Sequence, residues 1–338
     1  MLKKLYHKLW ETMGKLFKNG DLLEDENLMA TTNLFYGCDK VNNTFDMYYP
    51  KGNSEKMPTI IMIHGGGYIS GEKEGTRSFC KEMAKKGFLV FNMEYTKCDK
   101  SEQKYFPYQV NEFYMFFNHL SENPRFTSLI DFENVFLAGD SAGAHIASLI
   151  ANIQTNQELK MEFNLCGGPK IKGLILMSPS FGIYNFAGMF PKKPYHELIF
   201  GKQEIRNPLN EYTHNLNITT DYFPPTLMFS VKTDLVVGVH KRRFLKLAKE
   251  LNLSVIHCEF QSGYKLFHSC MINYPEHYPH CFEKIEEFVN NAINNNFVSS
   301  VVCEQLFEKT NKSALKQKKE VTVIDDNKQD KEVVINCS

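Results

Sequence analysis

Five short runs in this 338-residue chain are apolar almost throughout: "TIIMIH", "FLVFNMEY", "NVFLAGD", "GLILMS" and "TLMFSV". A strand with one face in water alternates apolar and polar residues, because successive side chains point to opposite faces. These runs do not alternate, so each reads as a strand buried on both sides. A mostly parallel sheet covered by helices on both faces meets that requirement. With the more polar runs included, eight strands are expected: Asn33 to Gly37, Thr44 to Tyr49, Thr59 to His64, Phe88 to Tyr95, Asn134 to Asp140, Ile171 to Ser178, Pro225 to Thr233 and Ser254 to Phe260. The first two lie close in sequence and are placed as an antiparallel pair at one edge. Helical periodicity fills the gaps, over Gly75 to Lys86, Tyr108 to Ser121, Ala142 to Thr155, Lys241 to Leu251 and Phe282 to Asn294. Strand followed by helix, repeated, is the α/β pattern.

Three segments fall outside that alternation. Leu2, Leu5, Leu9, Met13 and Leu16 recur every three or four residues and predict an amphipathic helix with a lysine-rich polar face. It is expected to cap the domain over residues 1–30, and its basic face leaves open a weak contact with a membrane surface. Residues 180–223 form a long insertion rich in aromatics, Gly and Pro, which reads as a lid or binding loop. Residues 299–338 are dense in charge and are expected to be a tail outside a catalytic domain that spans 31–298.

Composition narrows the function classes. The 39 basic and 39 acidic residues cancel, so no basic field exists to attract nucleic acid. Nine cysteines with no C-x-x-C pair resemble neither a zinc site nor a disulfide scaffold. Reduced thiols, and no run of about 18 apolar residues, make a cytoplasmic protein acting on a small molecule the expectation. No metal or cofactor is expected.

The chemistry begins at residues 135–146, "VFLAGDSAGAHI". A strand runs directly into Gly139-Asp140-Ser141-Ala142-Gly143, and a helix follows at once. This is G-x-S-x-G in strand-turn-helix context, where small residues leave the serine exposed at a tight turn. A serine hydroxyl needs a base, and the base needs an orienting group. Between Ser141 and the last histidines only two aspartates occur. Asp221 precedes a strand, whereas Asp234 follows "TLMFSVKT" at the carboxyl end, where open α/β sheets build their sites. Asp234 is therefore the expected orienter. Of the five later histidines, His240 and His257 fall beside a helix start and inside a strand. His268 lies in the loop after the last expected strand and is the expected base, with His277 and His280 as alternatives. One oxyanion donor is the backbone N–H of Ala142, directly after the nucleophile.

"HGGGY" at residues 64–68 together with "GDSAGAH", Asp234 and His268 resembles the hormone-sensitive-lipase-like branch of the α/β hydrolases, which includes small esterases and kynurenine-formamidase-like enzymes. The stretches "FDMYYP", "GEKEG" and "FPYQVNEF" resemble further segments of that family, and the likeness covers roughly residues 33–295. The resemblance implies an α/β-hydrolase fold and a serine esterase, with amide or formamide hydrolysis and a non-catalytic binding protein as the other readings. It also implies that the N–H groups of Gly66 and Gly67 join Ala142 in an oxyanion hole, with His64 bracing the loop and Asp140 supporting the turn. Asn111 stands where the family usually carries Asp.

Overall fold

The computed structural model describes residues 25–99, 102–181, 197–201, 222–308, 319–322 and 333–335. The expected N-terminal helix, nearly all of the 180–223 insertion and Asp221 lie outside the described residues.

Eight strands overlap the expected ones: β1 (Leu28–Phe35), β2 (Thr44–Pro50), β3 (Met57–Ile63), β4 (Leu89–Met93), β5 (Ile130–Asp140), β6 (Ile171–Met177), β7 (Thr226–Val231) and β8 (Val255–Ser262), with β1 starting five residues before the expected Asn33, inside the segment 1–30 expected to be a cap. Three more join them, β9 (Val301–Phe307), β10 (Lys319–Thr322) and β11 (Val333–Ile335), so among the described residues the sheet has eleven strands rather than eight. All three come from the segment expected to lie outside the fold. β9 pairs in parallel with β8, and its buried Val301 and Leu306, five positions apart, join opposite layers of the core with partly or fully exposed residues between them. A strand with one fully buried residue on each face, set among charges, carries too little apolar density to stand out from a tail.

The order is β1-β2-β4-β3-β5-β6-β7-β8-β9-β10-β11. From β4 to β9 neighbouring strands are parallel, while β1 and β2 form the expected antiparallel edge. Five long helices connect the strands: α1 (Arg77–Lys85), α2 (Tyr108–Glu122), α3 (Ala142–Thr155), α4 (Gly238–Glu250) and α5 (Pro279–Ile293). Both faces of the central strands are buried, as their lack of alternation requires. Ile61, Ile63, Val135 and Leu137 pack with residues of α2, α3 and α4, whereas Ile60, Met62, Phe136 and Ala138 pack with α1 and α5. The result is three layers, helix on sheet on helix. Among the described residues no helix is long and apolar enough to cross a membrane, and every cysteine is a free thiol.

Strand order determines where a site can form. The chain passes from β3 to β4 on one side and then places β5 on the other side of β3. Loops leaving the carboxyl ends of β3 and β5 therefore diverge, and a crevice opens between them. The glycine loop follows β3, and Ser141 follows β5.

Near the β1–β2 edge, Asp46 is completely buried and faces two cations. Its Oδ1 lies 3.0 Å from Lys73 Nζ, its Oδ2 lies 3.5 Å from Arg77 Nη2, and Tyr48 donates a 2.7 Å hydrogen bond to that Oδ2. Removing one member of a buried pair leaves the other charge uncompensated. Asp46→Ala is expected to lower the free energy of unfolding by about 3–5 kcal/mol, measured by urea denaturation. A loss below about 1 kcal/mol would show the network to be only a surface-like pair.

Candidate active site

Ser141 sits between β5 and α3 with φ 50° and ψ −114°, a conformation that side chains rarely adopt. Its environment enforces this. A Cβ on Gly139 would lie 2.5 Å from the carbonyl carbon of Gly143, and a Cβ on Gly143 would lie 2.1 Å from the Ile63 oxygen. Glycine at both positions lets the turn close on itself and lets α3 start against the end of β3. The backbone then holds the turn from the β6 side: Ser141 N–H donates to Met177 O at 2.9 Å, and Ser180 N–H donates to Ser141 O at 3.1 Å.

The serine hydroxyl meets His268, whose Nε2 is 2.8 Å from Ser141 Oγ. The other ring nitrogen, Nδ1, is 2.9 Å from Asp234 Oδ2. Asp234 Oδ1 accepts the N–H groups of Val236 and Val237, each at 2.9 Å. Burial pushes the Asp234 carboxyl up, but His268 and these two N–H groups outweigh it and hold the acid below the usual carboxylate range. An ionised carboxylate only accepts, so Nδ1 carries the proton and the Nε2 lone pair faces the serine hydroxyl. Of the candidate bases, His268 is the one that meets Ser141. His277 and His280 lie beside Glu276 and Glu308, His257 Nε2 is 2.8 Å from Ser230 Oγ inside β8, and His240 is buried in α4.

The glycine loop abuts the serine turn and is tied to it twice. Gly65 N–H donates to Asp140 Oδ1 at 2.7 Å, and Tyr68 OH lies 2.8 Å from His145 Nδ1 on α3. Burial pushes the Asp140 carboxyl up, and the Gly65 N–H pulls it back. His145 is fully buried, so burial, aided by nearby His240, lowers its value to about 3 and keeps the ring neutral. Gly66 has φ 122°, and a Cβ there would lie 2.0 Å from Ser70 O. That contact belongs to a turn in which Ser70 donates both its N–H, at 3.0 Å, and its hydroxyl, at 2.7 Å, to Gly66 O. Gly67 follows at φ 61°.

Behind the loop, His64 stacks on Tyr95 at 4.2 Å and spans from Gly65 O (Nδ1, 2.6 Å) to Glu94 Oε1 (Nε2, 2.9 Å). Glu94 also accepts the N–H groups of Lys73 and Tyr95 and the ammonium of Lys97. Burial pushes its carboxyl up, yet His64 and Lys97 prevail and hold it at about 2.

Tyr68, His145 and Glu94 had no role in the sequence reading, although all three stand in or beside its motifs. Glu94 did leave a signal, a single charge at the end of an apolar run. In "FPYQVNEF" Asn111 is exposed, and the neighbouring Glu112 is the buried acid. Its carboxylate accepts Thr96 N–H at 2.8 Å and Asn43 Nδ2 at 2.9 Å.

The family model described as BD-FAE matches residues 45–248, more than half of the chain. Isoprenylcysteine alpha-carbonyl methylesterase of Arabidopsis thaliana is 25% identical over 168 residues, 49% of this chain and 38% of that protein. Kynurenine formamidase of Danio rerio is 26% identical over 179 residues, 52% of this chain and 54% of that protein. The chain thus matches less than two thirds of the length of these relatives. Among solved structures, esterase B of Lactobacillus rhamnosis superposes with a TM-score of 0.73 at 22% identity, covering 87% of this chain and 95% of that one. That likeness establishes the α/β-hydrolase fold.

The site geometry generates two stability predictions. Gly143→Ala is expected to lower unfolding free energy by about 1–3 kcal/mol, since backbone must move to admit the methyl group; an unchanged denaturation midpoint contradicts the close approach of α3 to β3. Glu94 lies at about 2 in the fold against an ordinary 4.5. Its stabilising contribution is therefore complete above pH 4.5 and is lost as pH falls toward 2. In urea unfolding from about pH 5 down to about pH 2.5, Glu94→Gln is expected to lose stability less steeply than wild type; equal slopes contradict the brace.

Proposed function

The chain belongs to the BD-FAE family, and we propose that it is a serine carboxylic-ester hydrolase working through Ser141, His268 and Asp234. The observation that carries this reading is the unbroken hydrogen-bond chain from Asp234 through His268 to Ser141 Oγ, at 2.9 and 2.8 Å. Names of relatives and of structural neighbours that include esterases agree with it.

In the proposed reaction, Ser141 Oγ attacks the ester carbonyl carbon while His268 Nε2 takes its proton. Asp234 stabilises the imidazolium that forms and keeps the ring in the productive tautomer. Charge then develops on the carbonyl oxygen. The N–H groups of Gly66, Gly67 and Ala142 are its donors, and losing one donor of this kind typically costs about 2.7–4 kcal/mol of barrier. His268 returns the proton to the departing alcohol, leaving an acyl group on Ser141. A water molecule, deprotonated by His268, then attacks the acyl carbon; the bond to Ser141 Oγ breaks, His268 returns the proton to that oxygen, and the acid is released.

The proposed substrates are acetyl esters and esters of small to medium hydrophobic groups. Support for an apolar substrate is the aromatic content of the 180–223 insertion, which leaves the carboxyl end of β6 beside Ser141. A second reading, hydrolysis of an activated amide, is favoured by the similarity to kynurenine formamidase. The two differ only in the leaving group.

Ser141→Ala is expected to lower kcat on a short p-nitrophenyl ester by at least about 10⁴-fold. Retention of most activity in that variant sinks the assignment. Rates on an ester series of increasing acyl length, set beside an N-formyl amide, choose between the two substrate classes. Stoichiometric labelling of Ser141 by an organophosphonate separates either enzyme from a protein that only binds.

A further inference from the structure

We propose that Glu308, just beyond β9, is a positioning residue for His268. The proposal rests on His268 being the base of the reaction above. His268 is carried by residues 263–278, a loop between the end of β8 and the start of α5. The two stems of that loop are Ser262, the last residue of β8, and His280, in the first turn of α5.

Glu308 binds both stems. Its N–H donates to Ser262 O at 3.1 Å, and its carbonyl accepts Ser262 Oγ–H at 3.1 Å. Its carboxylate reaches the other stem, where Oε1 accepts the His280 N–H at 3.0 Å and also lies 3.0 Å from His280 Nδ1. Glu308 itself is 3% exposed, while Ser262 and His280 are partly buried.

The carboxylate also fills a gap in α5. The residue preceding that helix, Tyr278, makes no side-chain cap. The first N–H groups of a helix have no partner within it, and the helix dipole favours an anion at that end. Glu308 caps α5 from a strand that follows it in sequence. Inside the stems the loop is braced once more, where Tyr278 OH donates to Tyr264 O at 2.7 Å. The Ser262–Glu308–His280 bridge therefore spans the base of the loop, and the position of His268 relative to Ser141 depends on it. The segment read from sequence as an outlying tail supplies this bridge.

Glu308→Ala cuts the bridge on the α5 side while leaving the backbone pairing to Ser262. Displacing a reacting group by about 1 Å can cost up to 10²-fold in rate, so kcat on a p-nitrophenyl ester is expected to fall about tenfold, with KM within about twofold. Labelling of Ser141 by an organophosphonate is expected to slow by the same factor. Hydrogen exchange is expected to accelerate in residues 263–280 and to stay unchanged in β3 to β7. Glu308→Gln keeps an oxygen for the His280 N–H and is expected to restore most of kcat. Should Glu308→Ala not fold, Glu308→Asp, which withdraws the oxygen by one methylene, is read in the same way.

Unchanged kcat overturns the proposal, as does faster exchange spread across the whole sheet, which marks a general loss of stability. So does a Glu308→Gln variant as slow as Glu308→Ala. If the wild-type protein neither hydrolyses esters nor labels, the serine-hydrolase reading fails instead, and the exchange pattern alone still decides whether Glu308 holds the loop.

Discussion

The approach of the serine turn to the end of β3 governs everything else at this site. Gly143 stands so near Ile63 O that a single methyl group would collide with it, and Asp140 reaches across to the Gly65 N–H. That proximity makes one rigid body of two backbone segments that are far apart in sequence. Backbone N–H groups are attractive donors for a developing charge because they need no side-chain rotamer to be frozen. They are useful only when the chain that bears them cannot drift. Packing of main chain against main chain, with the Tyr68–His145 contact as a second tie, meets that condition.

Carboxylates orient the remaining parts. Asp234, Asp140 and Glu94 are all buried; Asp234 and Glu94 each accept several hydrogen bonds, and Asp140 accepts the Gly65 N–H. An ionised carboxylate has several acceptor positions around two oxygens and can fix several donors at once. Desolvation opposes each of them, and their partners decide the balance. For Asp234 and Glu94 the partners win and the acids stay ionised; for Asp140 burial has the larger effect. The same device recurs at Asp46 on the far edge of the sheet and at Glu308 beneath the His268 loop.

Much of this was legible before any coordinates. The five apolar runs are strands because burial on both faces leaves no room for alternation, and Ile60 and Ile61 do pack into opposite layers. Ser141, Asp234 and His268 could be chosen because each must follow a strand at the same end of one sheet. What stayed hidden was long-range pairing of ordinary residues. Nothing local announces that Glu94 will meet His64, or that Tyr68 will meet His145, since partner choice depends on strand order. Strand β9 was missed because "VVCEQLF" fully buries only Val301 and Leu306, one on each face, and sits among charges. Asn111 was singled out by comparison of motifs, yet helix phase buries Gln109, Val110, Glu112 and Phe113 and turns position 111 to solvent.

The hydrogen bond between His268 and Ser141 closes a span of 127 residues of chain. A polypeptide leaving the ribosome has its serine turn and glycine loop long before its histidine, and β9 pairs with β8 only after α5 has been made. Contacts of such separation form late, because the entropy of closing the intervening loop is lost before the contact returns anything. The nascent chain therefore carries Ser141 without His268 while 127 further residues are added. A fragment ending before residue 268 holds the strained serine turn without the imidazole that Ser141 meets in the complete fold.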